Sequence, residues 1–276
     1  MKNFVNLKLL GAWPIAALLA LLLVIIGCST TPVTGRHQLN IISAGDEVKL
    51  GLSSFEELKT NTPISRDATM NATVQRVGKR VALAASNDLP NAQWEFVVFQ
   101  SEEANAFCLP GGKVGVYSGL LQIIKDDAEL ATVIGHEVGH ATAHHGSERM
   151  SEAMAMQKVG QYLGSAITTD NQIVQSAYPV AYGGITKYGR SLPHSRAQES
   201  EADHIGVIYM ARAGYDPKKS LDFWQRFSEY IKQHGGGSES LLSKYSSDHP
   251  VTSDRIADLK KWMPEADAEY QKSKLR

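Results

Sequence analysis

Three residues in the segment AELATVIGHEVGHATAHHG, residues 128–146, have the types and the spacing of a metal site. His136 and His140 are four positions apart, so on a helix both imidazoles project from one face and can bind one ion. Glu137 is then placed beside the ion, where a carboxylate can act as general base on a water molecule at the metal. The pattern therefore predicts metal-assisted hydrolysis. The alternative is a pair of ordinary helix histidines that bind no metal.

The residues around this motif favour the metal site. The helix is strongly apolar at Leu130, Val133, Ile134 and Val138, which predicts that it is buried. Two histidines and a glutamate inside a protein need polar partners or a metal, because an unpaired buried polar group costs several kcal/mol.

A zinc ion with a catalytic role needs a third protein ligand and an open position. One class of zinc peptidases takes a third histidine six residues after the second, but position 146 here is glycine. The segment SRAQESEADHIG, residues 195–206, offers carboxylates instead. Glu199 and Asp203 share one helical face, while Glu201 points elsewhere. Spacing alone leaves two interpretations: Glu199 binds the metal and Asp203 holds the outer N–H of a ligating histidine, or the face is simply solvated.

The first 28 residues have the character of a targeting segment. Two lysines precede a stretch without charge from residue 9 to residue 27, and residues 25–28 read IIGC. This ending resembles a bacterial lipobox, where the signal is removed before a cysteine that then carries lipid. We therefore expect a lipoprotein signal at 1–27, lipid on Cys28 and a tether at 28–43. An uncleaved membrane anchor is the alternative. Because Ser29 and not aspartate follows, the resemblance implies the periplasmic face of the outer membrane.

Residues 44–276 are predicted to form one α+β domain. Asp126 or Asp127 can cap the helix of the histidine motif. β-branched and aromatic residues predict strands at 94–99, 104–108 and 113–117. Helical spacing of apolar residues predicts further helices at 44–59, 66–86, 148–164, 195–213, 217–234 and 252–262. The result is a small three-stranded sheet beside many helices.

Composition excludes some partner classes. The 276 residues carry a net charge of −1 and the basic residues form no run, so we expect no nucleic-acid partner. If Cys28 carries lipid, Cys108 has no partner for a disulfide within the chain. We assign Cys108 no chemistry, since a lone cysteine usually packs as a small apolar side chain.

Taken together, the two motifs resemble the zinc metallopeptidase family of HtpX and the CAAX prenyl protease. Within it the chain is similar to the soluble lipoprotein and periplasmic branch typified by LoiP and BepA, and to the mitochondrial OMA-type peptidase. Further matching segments are PVTGR (32–36), NAF (105–107), VYSGL (116–120) and HP (249–250). The resemblance implies a mainly helical zincin-type, gluzincin-like domain, with one Zn²⁺ per chain bound by His136, His140 and Glu199.

The resemblance also implies roles for residues outside the two motifs. Asp203 is expected to orient a ligating histidine. His249 is expected either to stabilise the oxyanion or to occupy the fourth zinc position at rest, and Arg255 to line the active site. From helical spacing, His144 is predicted to support His140 from behind, whereas His145 is expected at the surface.

A strand before the motif is a candidate for substrate binding. By resemblance, Asn105, Ala106 and Phe107 lie on an edge strand that pairs with the substrate backbone, which would give sequence-tolerant binding. The alternative is a plain core strand.

The leading hypothesis is a zinc endopeptidase, held by lipid in the bacterial envelope, that cuts misfolded or mislocalised proteins. Its partners would be unfolded or misassembled proteins and the membrane. The alternatives are a chaperone-like lipoprotein that binds unfolded outer-membrane clients, and a zinc carrier or sensor with a closed four-ligand site. Glu137 argues against pure binding, which needs no general base. With no long apolar run after residue 28 and no room for the helical repeats of BepA-like relatives, neither prenylated substrates nor repeat-mediated recruitment is expected.

Overall fold

The computed structural model describes residues 28–166, 192–234, 249–250 and 252–275. Its strands form an N-terminal hairpin and a three-stranded sheet, in chain order β1 (Cys28–Thr30), β2 (His37–Leu39), β3 (Glu95–Phe99), β4 (Ala106–Leu109) and β5 (Lys113–Tyr117). The helices are α1 (Ala44–Asn61), α2 (Ala68–Ala84), α3 (Ser118–Leu121), α4 (Asp127–Thr142), α5 (His145–Ala166), α6 (Leu192–Arg212), α7 (Lys218–His234) and α8 (Ser253–Ser273).

The three-stranded sheet has the order β3-β5-β4, so β4 is an edge strand. β3 runs parallel to β5, and β4 runs antiparallel to it. Phe107 on β4 stands opposite Gly115 on β5, where a side chain on Gly115 would collide with the Phe107 ring. The predicted α+β class with a small three-stranded sheet is confirmed.

Helix α4, which carries the histidine motif, is the centre of the domain. Asp126 caps its first turn by accepting a hydrogen bond from the Glu129 N–H. Every residue from 129 to 142 is buried. The helix packs against α2, β4, α6 and α7, so its position is specified from several sides.

Helices α4 and α6 touch backbone to backbone. A Cβ added to Gly135 would lie 2.7 Å from the carbonyl oxygen of Gly206, and one added to Gly139 would lie 2.9 Å from that of Ala202. Side chains at these glycines would keep the helices apart. The close approach brings the carboxylates of α6 within reach of the histidines of α4.

Two hydrophobic clusters support this arrangement. The larger surrounds α4 and includes side chains from α2, the sheet, α6, α7 and α8. The smaller lies under α1 and is mainly aromatic: Phe55, Phe99 and Tyr117 are buried together with Val97, and Phe107 packs against them. One face of the sheet thus packs in the larger cluster around the site helix, and the opposite face, with side chains from all three strands, packs in the smaller cluster.

The N-terminal region differs from the expected tether at 28–43. Strands β1 and β2 already pair from Cys28 to Leu39. Arg36, in the turn between them, forms ion pairs with Glu148 and Glu201 at 2.7 and 2.6 Å. These two buried carboxylates dock the segment onto the domain, so residues 28–39 belong to the fold.

Helix α8 is longer than the predicted 252–262. Pro264 lies inside it, and the prediction ended before a residue that normally ends a helix. The helix continues because Ala266 is fully buried in the core and Glu269 pairs with Arg212 of α6 at 2.9 Å. Tertiary packing outweighs the local preference here.

In the described parts of the chain, the structure has no helix long and apolar enough to cross a membrane. The predicted signal at 1–27 lies outside the described residues.

Candidate active site

Two imidazoles and one carboxylate converge between α4 and α6. His136 Nε2 lies 3.1 Å from His140 Nε2 and 3.3 Å from Glu199 Oε2. His140 Nε2 lies 3.2 Å from the other oxygen of Glu199. A fourth group, His249, places Nδ1 3.2 Å from His136 Nε2 and 3.1 Å from Glu199 Oε2. All four side chains can contribute one ligand atom to a common centre.

These separations fit a zinc-sized ion. Zinc binds histidine nitrogen and carboxylate oxygen at about 2.0–2.2 Å in a tetrahedron, so its ligand atoms lie about 3.3 Å apart. The ligand atoms of His136, His140 and Glu199 are 3.1–3.3 Å apart. Imidazole nitrogens that face each other this closely need a proton or a metal between them. The donors therefore suit an ion bound by two histidines and one carboxylate.

Asp203, one turn after Glu199, holds the other side of His136. Its Oδ1 lies 3.0 Å from His136 Nδ1, the position from which a carboxylate fixes the tautomer and orientation of a ligating imidazole. Arg255 in turn donates to both Asp203 oxygens at 2.6 and 2.8 Å. The ring of Trp224 packs edge-on against His136 and lies under the Arg255 guanidinium. His136 is thus fixed by hydrogen bonding and by packing.

The protonation of these groups follows from burial and charge. Burial by itself lowers the pKa of His136, but hydrogen bonds with Asp203 and Glu199 outweigh it and raise that pKa to about 9. Burial lowers the pKa of His140. Burial by itself would raise the pKa of Glu199, yet His140 and the neighbouring imidazoles lower it, so the carboxylate is ionised as a metal ligand must be.

Comparison with known proteins assigns this site to a family. The model of Peptidase family M48 matches residues 68–263, which include both motifs and Arg255.

The chain belongs to peptidase family M48.

Its relatives are metalloendopeptidases and an assembly-enhancing protease. The chain is 29% identical over 248 residues to the mitochondrial metalloendopeptidase OMA1 of Schizosaccharomyces pombe, which covers 88% of this chain and 68% of that protein. It is 38% identical over 169 residues to OMA1 of Arabidopsis thaliana, a match that covers 61% of this chain and 31% of that protein. It is 26% identical over 234 residues to the beta-barrel assembly-enhancing protease of Escherichia coli, a match that covers 83% of this chain and 46% of that protein. The resemblance predicted from the motifs is confirmed, and this M48 protein is a metallopeptidase.

The predicted general base of this M48 site lies next to the fourth donor. Glu137 is buried, and its Oε1 lies 3.7 Å from His249 Nε2. His249 therefore faces Glu137 with one nitrogen and the metal ligands with the other. Sequence reasoning could place this histidine only by family resemblance, because more than one hundred residues separate it from α4 along the chain.

Arg255 was predicted to line the active site. The structure buries its guanidinium against Asp203 and also places Nη1 3.2 Å from Glu199 Oε2. With Glu199 and Pro250 it borders a cavity of about 300 Å³. Arg255 thus contacts both Glu199, a predicted metal ligand, and Asp203, which holds His136, and a direct part in the reaction stays a prediction.

The two histidines that follow the motif, His144 and His145, do not lie where the sequence predicted them. Helix α4 ends at Thr142, and His144 adopts a positive φ of 54°, so the helical spacing no longer applies. His144 pairs with Glu47 at 2.8 Å and does not support His140. His145, expected at the surface, is fully buried with Nδ1 2.8 Å from His140 Nδ1. Both expectations were wrong for the same reason, and no periodic signal could have corrected them.

The candidate substrate strand is where the sequence placed it. Ala106 and Phe107 are on β4, the edge strand beside α4, and Asn105 immediately precedes it. The Asn105 carbonyl accepts a hydrogen bond from the Tyr117 N–H, so the strand is anchored to β5 on its inner side. Pairing with a substrate stays a prediction for this edge.

Proposed function

We propose that this chain is a zinc-dependent endopeptidase of the bacterial envelope that hydrolyses misfolded or mislocalised proteins as part of protein quality control. The observation that carries the proposal is the convergence of His136, His140 and Glu199 at separations suited to zinc, with Glu137 beside them. Membership of family M48 supports the peptidase chemistry.

Each residue of the site has a distinct task in this proposal. His136, His140 and Glu199 would hold the zinc ion, which when bound polarises the peptide carbonyl and makes a neighbouring water more acidic. Glu137 accepts a proton from the attacking water and donates it to the leaving amine. Asp203 keeps His136 in the tautomer that presents Nε2 as ligand.

His249 occupies the position that a fourth ligand would take. Its Nδ1 is as close to His136 and Glu199 as those two are to each other. We propose that His249 closes the site at rest and moves aside when a peptide enters. The other role for this residue is stabilisation of the oxyanion, which is often a large contribution to catalysis.

The edge strand β4 supports a preference for unfolded substrates. A peptide that adds to a sheet edge is bound through its backbone, so many sequences can be accepted as long as the chain is extended. Folded proteins do not offer such a segment. Asn105, Ala106 and Phe107 would form the edge that receives it.

The proposed location is the periplasmic face of the outer membrane, with lipid on Cys28. The lipobox-like ending IIGC and the serine after it support this placement. Each buried methylene of an acyl chain contributes about 0.8 kcal/mol, so two or more chains give a stable anchor. The OMA1 relatives are mitochondrial by name, and the E. coli relative is named for β-barrel assembly.

The test uses the full chain purified in mild detergent and β-casein as an unfolded substrate. Cleavage should be lost on chelation, return with zinc, and be absent in Glu137→Gln although that variant still binds zinc. The chaperone-like alternative predicts that the zinc-loaded protein cuts nothing. It also predicts that the wild type and Glu137→Gln prevent the aggregation of an unfolded outer-membrane protein equally well. That result would contradict the peptidase proposal.

A further inference from the structure

The N-terminal hairpin reaches the back of the metal site through buried polar side chains. His140 Nδ1 lies 2.8 Å from His145 Nδ1, and His145 Nε2 lies 3.1 Å from Glu201 Oε2. Arg36 Nε then donates to the same Glu201 oxygen at 2.6 Å. His145 and Glu201 are both buried. Only these two side chains separate Arg36 from a proposed metal ligand along this path.

The proton positions along this path follow from what the metal requires. If His140 binds the metal through Nε2, its proton is on Nδ1 and must be donated to His145 Nδ1. The proton of His145 is then on Nε2, where it is donated to Glu201. With the other tautomer of His145, two N–H groups would face each other. Glu201 therefore fixes the tautomer and ring orientation of His140 through His145.

Glu201 depends on the hairpin for its own position. Thr31 Oγ1 donates to Glu201 Oε1 at 2.7 Å, and Thr34 Oγ1 hydrogen-bonds to the same oxygen. With the Arg36 bond, the hairpin supplies three of the four hydrogen bonds that this carboxylate makes within the described part of the chain, and His145 supplies the other. These bonds outweigh burial and lower the pKa of Glu201 to about 2.

The same arginine ties the two helices behind the site to each other. Its Nη1 and Nη2 donate to the two oxygens of Glu148 on α5 at 2.7 and 2.8 Å, while Nε binds Glu201 on α6. Gln198, the neighbour of Glu199, also donates to Glu148 at 2.6 Å. A planar guanidinium can bind Glu148 through two parallel N–H groups while its Nε–H binds Glu201, a bidentate geometry that a lysine ammonium does not offer.

The turn that presents Arg36 is held in a costly conformation. Val33 has φ +63°, a region in which a β-branched residue is strained. The turn is closed by the Thr31 N–H to the Arg36 carbonyl at 2.9 Å and by the Gly35 N–H to the Thr31 carbonyl at 3.1 Å. Such a conformation persists only where the surrounding contacts specify it, and here those contacts are with Glu201 and Glu148.

We infer that the hairpin at residues 28–39 is a structural part of the metal centre, and that Arg36 is a positioning residue that orients His140 through Glu201 and His145. The inference rests on the proposed function, because it assumes that His140 binds zinc. It gives the segment PVTGR a role in metal binding, although Arg36 does not touch the metal ligands itself.

The test measures zinc affinity directly, by competition with a chromophoric chelator, on the full chain. Outer hydrogen-bond partners of metal ligands typically contribute 10–100-fold in affinity, so we expect Arg36→Ala to weaken zinc binding about tenfold and His145→Ala to weaken it at least as much. Because both act along one path, the double variant should lose no more than His145→Ala alone. The matched control is Arg226→Ala, which removes a similarly exposed arginine from its pair with Glu129 at the other end of α4.

Three results decide the question. Wild-type zinc affinity in Arg36→Ala, or additive losses in the double variant, would overturn the inference, and so would an equal loss in Arg226→Ala. If Arg36→Ala does not fold, Thr31→Val replaces it. We then expect at least a twofold loss of zinc affinity, and an unchanged affinity would count against the inference. Failure of the wild-type chain to bind zinc at all would instead refute the proposed function.

Discussion

Gly206 marks the closest approach of α6 to the helix that carries the histidines. A Cβ at this position would lie 2.7 Å from the His136 backbone nitrogen and 2.8 Å from the Gly135 carbonyl carbon, where ordinary contacts begin at 3.4 Å. These are backbone atoms in a close-packed core, so in Gly206→Ala the two helices must separate by about 0.7 Å. Glu199 is two helical turns before Gly206 on the same face and moves with it.

Two energetic effects oppose each other in this variant. Alanine is favoured over glycine in a helix interior by about 1 kcal/mol. Overpacking a core costs about 1–3 kcal/mol, so we expect a net loss of about 1 kcal/mol in the free energy of unfolding. Metal–ligand distances tolerate only about 0.2 Å, so the shift of Glu199 should weaken zinc binding by about tenfold or more.

The assay combines urea unfolding of the zinc-stripped chain with chelator competition for zinc. Gly146→Ala is the matched control, because a Cβ on this α5 glycine would meet no atom within 4 Å. That variant should gain stability from helix preference and keep its zinc affinity. The packing argument is refuted if Gly206→Ala behaves like Gly146→Ala in both measurements.

Three further predictions concern the second carboxylate of the site, the ion pair of His144 and access to the metal position. Asp203→Asn should weaken zinc binding 10–100-fold in chelator competition, because His136 loses the carboxylate that accepts its outer N–H; unchanged affinity would remove Asp203 from the site. The hydrogen bond that His144 donates to Glu47 raises the pKa of His144 above its ordinary 6.5, so their pair stabilises the fold fully below pH 6.5 and less as the pH rises through the raised value. The difference in melting temperature between wild type and His144→Asn should therefore shrink at alkaline pH, and a constant difference would contradict this. His249→Ala should cut β-casein faster if His249 closes the site, whereas slower cleavage would assign it to the oxyanion.

The residues of the candidate metal site could be predicted because their side-chain chemistry and their helical spacing agree. His136 and His140 share a helix face, and Glu199 and Asp203 share another, so each pair needed only the 3.6-residue repeat. The requirement for a third ligand drew attention to the second pair, and the family resemblance, not the spacing, assigned Glu199 as that ligand. The glycines that allow the two helices to touch were not recognised from the sequence, since a glycine within a helix has several explanations.

The contacts behind the metal site, which join Arg36 and Glu201 to His145, could not be predicted from the sequence for physical reasons. Glu201 and Arg36 are 165 positions apart, and no period or motif chemistry connects them. The exchange of His144 and His145 depends on one residue with positive φ, a choice made by tertiary contacts after the helix ends. Helix α8 passes Pro264 because its burial outweighs the local preference. Local sequence patterns do not determine which distant residues pair or where a helix ends.

The most direct test of the account is a zinc titration of cleavage. The full chain is stripped with chelator, zinc is added in known amounts, and the rate of β-casein cleavage is followed against zinc bound per chain. We expect the rate to rise linearly and to level off at one equivalent, while Glu137→Gln binds the same single equivalent and stays inactive. A rate that does not depend on zinc, or a chain that binds one zinc and never cuts, would contradict the assignment of His136, His140, Glu199 and Glu137 to a zinc peptidase site.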